Sequence, residues 1–298
     1  MPSRPRMCGQ WLVTGAGGML GHDLRAVLAE RDRPVTAATR ADLDLTDAVA
    51  VRAAVAGHPV VINAAAWTDV DRAEADEAAA TAVNGDGVAN LARACAETGA
   101  RLLTVSTDYV FPGDATGPYP EDAPTAPVNA YGRSKLAGEQ AVARLLPDTG
   151  YVVRTAWLYG RHGRNFVSTM LRLADTHPEL DVVDDQVGQP TWSYALAERL
   201  VELADAALVG RAPAGVYHAT ASGQTTWYGL ARAAFALGGL DPDRIRPTTS
   251  EKFLRPAARP GYSVLGHERW TLAGLDPLPD WHVMLTTAAR SGILAPTP

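Results

Sequence analysis

The stretch "QWLVTGAGGMLG", Gln10 to Gly21, decides how the rest of the chain is read. Gln10 to Thr14 has the composition of a short buried strand, and Gly15, Gly18 and Gly21 follow it in G-x-x-G-x-x-G spacing. An apolar, Ala-rich helix is predicted from Met19 to about Glu30. Glycines at this spacing let the backbone turn sharply and approach a pyrophosphate, while the helix start offers free N–H groups and a partial positive charge. A glycine triplet alone is often only a turn. The strand before it and the helix after it favour a dinucleotide-binding turn, with Gly15, Gly18, Met19, Leu20 and Gly21 against the cofactor.

Strand and helix patterns then alternate. Pro34 to Thr39 is a second predicted strand, ending at Arg40, where an NAD-preferring site usually places a carboxylate for the ribose 2′-hydroxyl. A guanidinium pairs instead with a 2′-phosphate, so NADPH is expected, with NADH the alternative. Asp44 and Leu45 are expected to border the adenine, and Thr46 to cap the next helix. Val60 to Asn63 is a third strand, followed by Ala64, Ala65 and Ala66, small enough for close passage along the cofactor. The helical stretch after Val70 carries Asp71, Glu74 and Glu77, read as a charged surface face. "NGDGVANLARACAETG" reads as a helix stopped by Gly99, and Arg101 to Ser106 as a fourth strand. Tyr151 to Thr155 is a fifth. This alternation predicts an α/β protein with a doubly wound parallel sheet. Residues 1–156 are expected to form the dinucleotide-binding domain. Residues 157–298 are expected to form mainly a smaller substrate-binding lobe, some of whose segments return to the first domain.

Composition limits the function classes. The 298 residues, 47% hydrophobic and 20% charged, suit a globular protein of one large or two smaller domains. A net charge of −6 supplies no basic field for nucleic acid. No apolar stretch is long enough to span a bilayer. The "MPSRPRMCGQ" start has no apolar run behind its basic residues and is expected to be a frayed tail rather than a secretory signal. Cys8 and Cys95 form no C-x-x-C motif, so two reduced thiols and a cytoplasmic protein are expected. The seven histidines show no metal-ligating spacing.

The chemistry centres on Ser106 to Lys135, which opens "STDYVF" and closes "YGRSK". Tyr131 and Lys135 are four residues apart and share a helix face. A phenol titrates near pH 10, and a neighbouring ammonium favours phenolate, so this spacing suits a lysine-assisted tyrosine acid, although alone it reads more readily as a solvated helix face. Thr107, at a strand end, is placed to hydrogen-bond the same reacting oxygen.

With these pieces in place the chain resembles the extended short-chain dehydrogenase/reductases, and within them the dTDP-4-dehydrorhamnose reductases. The blocks that carry the resemblance are "VTGAGGMLG", "NAAAWTDVDRAE", "STDYVFPG", "YGRSKLAGE", "DQVGQPT", "SGQTTWY", "ARP" at Arg259 and "LPDW" ending at Trp281. It implies a Rossmann fold and reduction by NADPH of the C4 ketone of a dTDP-4-keto-6-deoxyhexose, foremost dTDP-4-dehydrorhamnose to dTDP-L-rhamnose. A 4-ketoreductase for another dTDP-deoxysugar of secondary metabolism is the near alternative. A non-catalytic regulatory subunit, of the kind that accompanies methionine adenosyltransferase, is the alternative of another class. Carried over by position, the catalytic set is Thr107, Tyr131 and Lys135, with Tyr131 and Lys135 also on the cofactor. Thr107, Asp108 and Trp157 would face the sugar, and Arg259 either the diphosphate or a surface ion-pair partner. Trp227 also sits in a loop placed at the substrate.

Related 4,6-dehydratases carry Asp-Glu after the threonine, whereas here Tyr109 follows Asp108 and the second carboxylate of a water elimination is missing. No match to the substrate segments of the related 4-epimerases is found. Some family members bind magnesium at a dimer interface through glutamates. Tyr194 stands at about one such position, so no metal is expected, although a homodimer is allowed. Tyr262 replaces an amide common in the family.

Overall fold

The computed structural model describes residues 9–293, so the N-terminal tail and Cys8 lie outside the described residues. Six parallel strands form the central sheet: β1 Trp11–Thr14, β2 Val35–Ala38, β3 Val60–Asn63, β4 Arg101–Thr107, β5 Gly150–Thr155 and β6 Gly215–His218. Their order is β6-β5-β4-β3-β1-β2. Strands β1, β3 and β5 are buried along their whole length, as a sheet covered on both faces requires.

Alternate side chains divide between two cores. Val13, Ile62, Leu103 and Val153 pack against Leu24 and Leu28 of α1 (Met19–Glu30) and Leu196, Leu200 and Leu203 of a helix at Ser193–Leu208. Their neighbours Leu12, Val61, Leu102 and Val152 face Val51 and Val55 of α2 (Ala48–Val55), Leu91 and Cys95 of α3 (Val88–Thr98), and Val142 of α4 (Ala130–Leu145). The sheet is therefore doubly wound. Ser193–Leu208 and β6 both belong to it although they lie late in the chain.

The order reverses between β1 and β3, and their carboxyl-end loops open a crevice there. Beyond the strand ends a smaller layer holds helices Phe166–Ala174, Trp227–Leu237 and Trp281–Arg290 around Tyr159, Val167, Leu230 and Leu285. Among the described residues no helix is long and apolar enough to cross a membrane.

Local details differ from the sequence expectations. Asp47, not Thr46, caps α2, because Asp47 accepts from Val49 and Ala50 N–H while Thr46 donates to Asp44. The run before α3 contains a π-helical turn at Ala82–Gly87 instead of regular helix. The helix after Val70 breaks at Asp76, whose extended φ of −145° ends Val70–Ala75 and whose carboxylate caps Glu77–Thr81. Buried Cys95 has its thiol pushed up to about 12 by desolvation, which makes it inert.

Candidate active site

A cavity of about 1150 Å³ lies over the β1/β3 crevice and runs to the strand ends of β4 and β5. One end is a glycine cradle. Gly15 has φ +70°, and a Cβ there would lie 2.6 Å from the carbonyl carbon of Ala64. A Cβ on Gly21 would strike the Gly15 carbonyl. Gly18 is the N-cap of α1 and contributes no side-chain cap, leaving the helix's first N–H groups available to an anion. Buried Asn63 fixes the facing loop. Its Oδ1 accepts from Thr14 Oγ1 at 2.7 Å and from Ala65 N–H at 3.1 Å, and its Nδ2 donates to Thr104 Oγ1 at 3.0 Å. Ala64, Ala65 and Ala66 line the cavity opposite Gly15, Gly18, Met19, Leu20 and Gly21.

Farther along, Arg40, Asp44 and Leu45 also line it. The Asp44 carboxylate is engaged locally, accepting from Thr46 N–H at 2.9 Å and Thr46 Oγ1 at 2.8 Å, bonds that hold it below the usual carboxylate range.

The other end carries Thr107, Asp108, Tyr109, Tyr131, Lys135, Trp157 and Trp227. Tyr131 and Lys135 project from α4, whose N-cap Asn129 accepts from Gly132 N–H at 2.8 Å. Gly132 lets the helix start approach β4, since a Cβ there would strike the Tyr109 carbonyl. Thr107 and Tyr131 line the same end of the cavity, and Thr107 Oγ1 donates to Asp108 Oδ1 at 3.0 Å. Lys135 Nζ donates to the Val105 carbonyl at 2.6 Å.

The electrostatics differ from the expectation for tyrosine. Burial, reinforced by the Asp108 charge and only partly opposed by Thr107, pushes the Tyr131 phenol up, not down. The lysine sits against a backbone carbonyl, and desolvation brings it down to about 8, with Glu139 opposing. Tyr131 therefore holds its proton, which is the state a proton donor needs. Asp108 is pushed up to about 6 by burial, partly opposed by Ser263 and Thr107 nearby, and its Oδ2 has no hydrogen-bond partner among the described residues. Tyr109 meets Tyr131 edge-on at 5.9 Å and is likewise pushed up by burial, so no second carboxylate or ready base stands beside Asp108.

Trp157, two residues past the end of β5, has φ +47°, a left-handed conformation uncommon outside glycine. Its ring stacks on Trp227 at 3.6 Å and 7°, with Gly188 so close beneath that any Cβ would overlap the indole. Arg259 does not line the cavity. Its Nη1 donates to Asp71 Oδ1 at 3.0 Å and to the Ala257 carbonyl at 2.8 Å. Tyr262 donates to Gln224 and Tyr194 to Glu30. Among the described residues no group of three or more His, Cys, Asp or Glu side chains could hold a metal ion.

Sequence reading missed the supports. Glu74 accepts from Ala130 N–H at 2.7 Å and Glu77 pairs with Arg133, so the acidic face after Val70 buttresses the start of α4 as well as meeting solvent. Asn84, in the π-helical turn, brackets the Trp67 backbone and donates to Ser134 Oγ at 2.9 Å. The available signal was Asn-Gly-Asp-Gly inside an otherwise helical run: Gly85 and Gly87 let that turn press against α4 and Leu45.

A glycine-cradled crevice leading to a Thr/Tyr/Lys wall is the arrangement of a dinucleotide-dependent oxidoreductase. The family model described as RmlD substrate binding domain matches residues 9–292. The dTDP-4-dehydrorhamnose reductase of Streptomyces griseus is 56% identical over 99% of this chain and 98% of its own. The dTDP-4-keto-6-deoxy-D-glucose reductase of Streptomyces niveus is 52% identical over 95% and 97%. The crystal structure of dTDP-4-dehydrorhamnose reductase from Bacillus anthracis in complex with NADP superposes with a TM-score of 0.90, covering 96% of this chain and 100% of that one at 36% identity. The chain belongs to the RmlD substrate binding domain family.

Proposed function

We infer that this protein is an NADPH-dependent reductase of the C4 ketone of a dTDP-4-keto-6-deoxyhexose, foremost dTDP-4-dehydrorhamnose. The observation that carries the reading is Tyr131, protonated and half-buried, sharing with Thr107 and Lys135 one end of a cavity whose other end is the glycine cradle. Relatives at 56% and 52% identity are named as reductases of different 4-keto sugars, so the rhamnose precursor is the first substrate and its 4-keto relatives the second.

The cradle fits a dinucleotide: Gly15, Gly18 and Gly21 clear the space that a pyrophosphate needs, and the α1 N-terminus faces it. Arg40 would pair with the 2′-phosphate, Leu45 border the adenine, and Ala64 to Ala66 pass the backbone. The bound cofactor supplies the hydride. Thr107 orients the ketone oxygen and Tyr131 Oη gives its proton to the developing alkoxide. Lys135 holds positive charge beneath that oxygen and takes the ribose hydroxyls. Asp108 offers the unpartnered Oδ2 to a sugar hydroxyl, and the Trp157–Trp227 stack forms the apolar wall behind the sugar. Tyr109, uncharged at working pH, cannot serve as the base of an elimination, which favours reduction over dehydration.

The test supplies a panel of dTDP-4-keto-6-deoxyhexoses with NADPH, follows NADPH absorbance and identifies the product sugar. Oxidation of NADPH coupled to a C4 alcohol is expected. Absence of turnover with every sugar, despite bound NADPH, would remove this function and favour a non-catalytic binding role.

A further inference from the structure

Behind the reactive wall lies a buried charged network to which the functional reading gives no task. Glu139 stands one turn beyond Lys135 on α4 and is as buried. Its Oε1 accepts from Ser106 Oγ at 2.5 Å, and Arg154 of β5 reaches it through Nε at 3.0 Å and Nη2 at 2.7 Å. The ion-paired side chains are 5% and 6% exposed. Arg154 lies over the Phe111 ring, and its Nη1 approaches His218 Nε2 at 3.3 Å. His218 Nδ1 faces the Gly266 carbonyl at 3.0 Å, which assigns the ring proton to Nδ1 and leaves Nε2 to accept. Burial and the adjacent guanidinium bring His218 down to about 3, so it stays neutral at working pH.

Two successive residues of β4 are thus gripped from one face of α4: Val105 by Lys135 through its carbonyl, and Ser106 by Glu139 through its hydroxyl. The next residue is Thr107. We propose that Glu139, held by Arg154, is a positioning residue that sets the end of β4 against α4 and keeps Lys135 cationic. A buried ion pair is weak as a stabiliser, because desolvation offsets its attraction. Its placement next to Lys135 therefore points to alignment and charge. Other titratable or charged groups facing this layer are Tyr131 on α4 itself, Asp108 and Tyr109 past β4, Arg154, His218 and Glu121. Glu74 and Glu77 face the start of α4, bound to Ala130 N–H and Arg133. The charge that acts on Lys135 is that of Glu139.

The inference rests on the roles given above to Tyr131 and Lys135. It is tested by the pH profiles of kcat and of NADPH affinity in the full-length enzyme. Glu139→Gln removes the negative charge, so the alkaline limb should move down by about one pH unit; Glu139→Asp keeps the charge and should leave it in place. A scaffold that merely loosens would move both the same way or neither, and that result would overturn the proposal. Ser106→Ala leaves both charges in place and carries the test if a charge variant fails to fold. Its kcat should fall about tenfold with the limb unmoved, and an unchanged kcat contradicts the positioning. If the wild type reduces no 4-keto sugar, the functional reading fails, whereas the NADPH-affinity profiles still judge the charge effect.

Discussion

The two ends of the cavity are built differently. The cradle end is made of backbone: glycines without side chains, the alanine run and a helix N-terminus, all locked by Asn63. The reactive end is made of side chains buried at an energetic cost and held by partners on other strands, and the loop carrying Arg259 stays outside it. Backbone sites follow from local sequence, because a left-handed φ or a missing Cβ is a property of one residue. Side-chain sites depend on what the fold brings up behind them.

The largest break in that comparison should come from Tyr131→Phe, which removes the proton and leaves the cradle intact. It is expected to lower kcat by about a hundred- to ten-thousandfold with NADPH affinity nearly unchanged, read by steady-state rates and a binding titration. Gly15→Ala tests the opposite end. Its Cβ meets the Ala64–Ala65 backbone at a positive φ. NADPH affinity should fall about tenfold or more and Tm should drop, since a left-handed residue other than glycine costs about 1–2 kcal/mol before any clash.

Arg40→Ser should reduce the preference for NADPH over NADH by roughly tenfold, measured as a ratio of kcat/KM values, through loss of a charge-assisted contact. An unchanged ratio would move the 2′-phosphate elsewhere.

Asp108 gives a pH signature. Its carboxyl is raised to about 6 in the folded chain, above its unfolded value, so the native state binds the extra proton. Stability from this group is complete below the unfolded pKa of about 4 and is lost as pH rises through about 6. Asp108→Asn should therefore raise stability at pH 8 by at most about 3 kcal/mol, with the gain shrinking toward pH 4, in urea titrations. The smallest effect is expected from Arg259→Ala. The Asp71–Arg259 pair is partly exposed, and the same loop is also tied to the N-cap residue of α4 by Asn129 Nδ2 to the Ala258 carbonyl. Loss of about 1 kcal/mol or less, with KM changed under about threefold, is expected. A large rise in KM would return Arg259 to the diphosphate.

The alternation of strands and helices, the parallel sheet and the cavity-lining positions from Gly15 through Ala66 were legible because each rests on periodicity or on a glycine. Tyr131, Lys135 and Thr107 were legible because helix spacing and a strand end place them together. The proton state of Tyr131 was not, since burial raises the phenol while the Lys135 ammonium turns to the Val105 carbonyl. Glu139 and Arg154 meet only when α4 packs back on β5, which neither residue's local sequence announces. Arg259 stayed open between a diphosphate and a surface partner because that partner, Asp71, lies 188 residues away.

The most direct measurement is product analysis after incubation of the purified protein with dTDP-4-dehydrorhamnose and NADPH. One NADPH oxidised per ketone and a dTDP-6-deoxyhexose carrying a C4 hydroxyl are expected, with Tyr131→Phe nearly inactive under the same conditions. NADPH bound but not oxidised, or equal turnover by Tyr131→Phe, would contradict the proposed reduction.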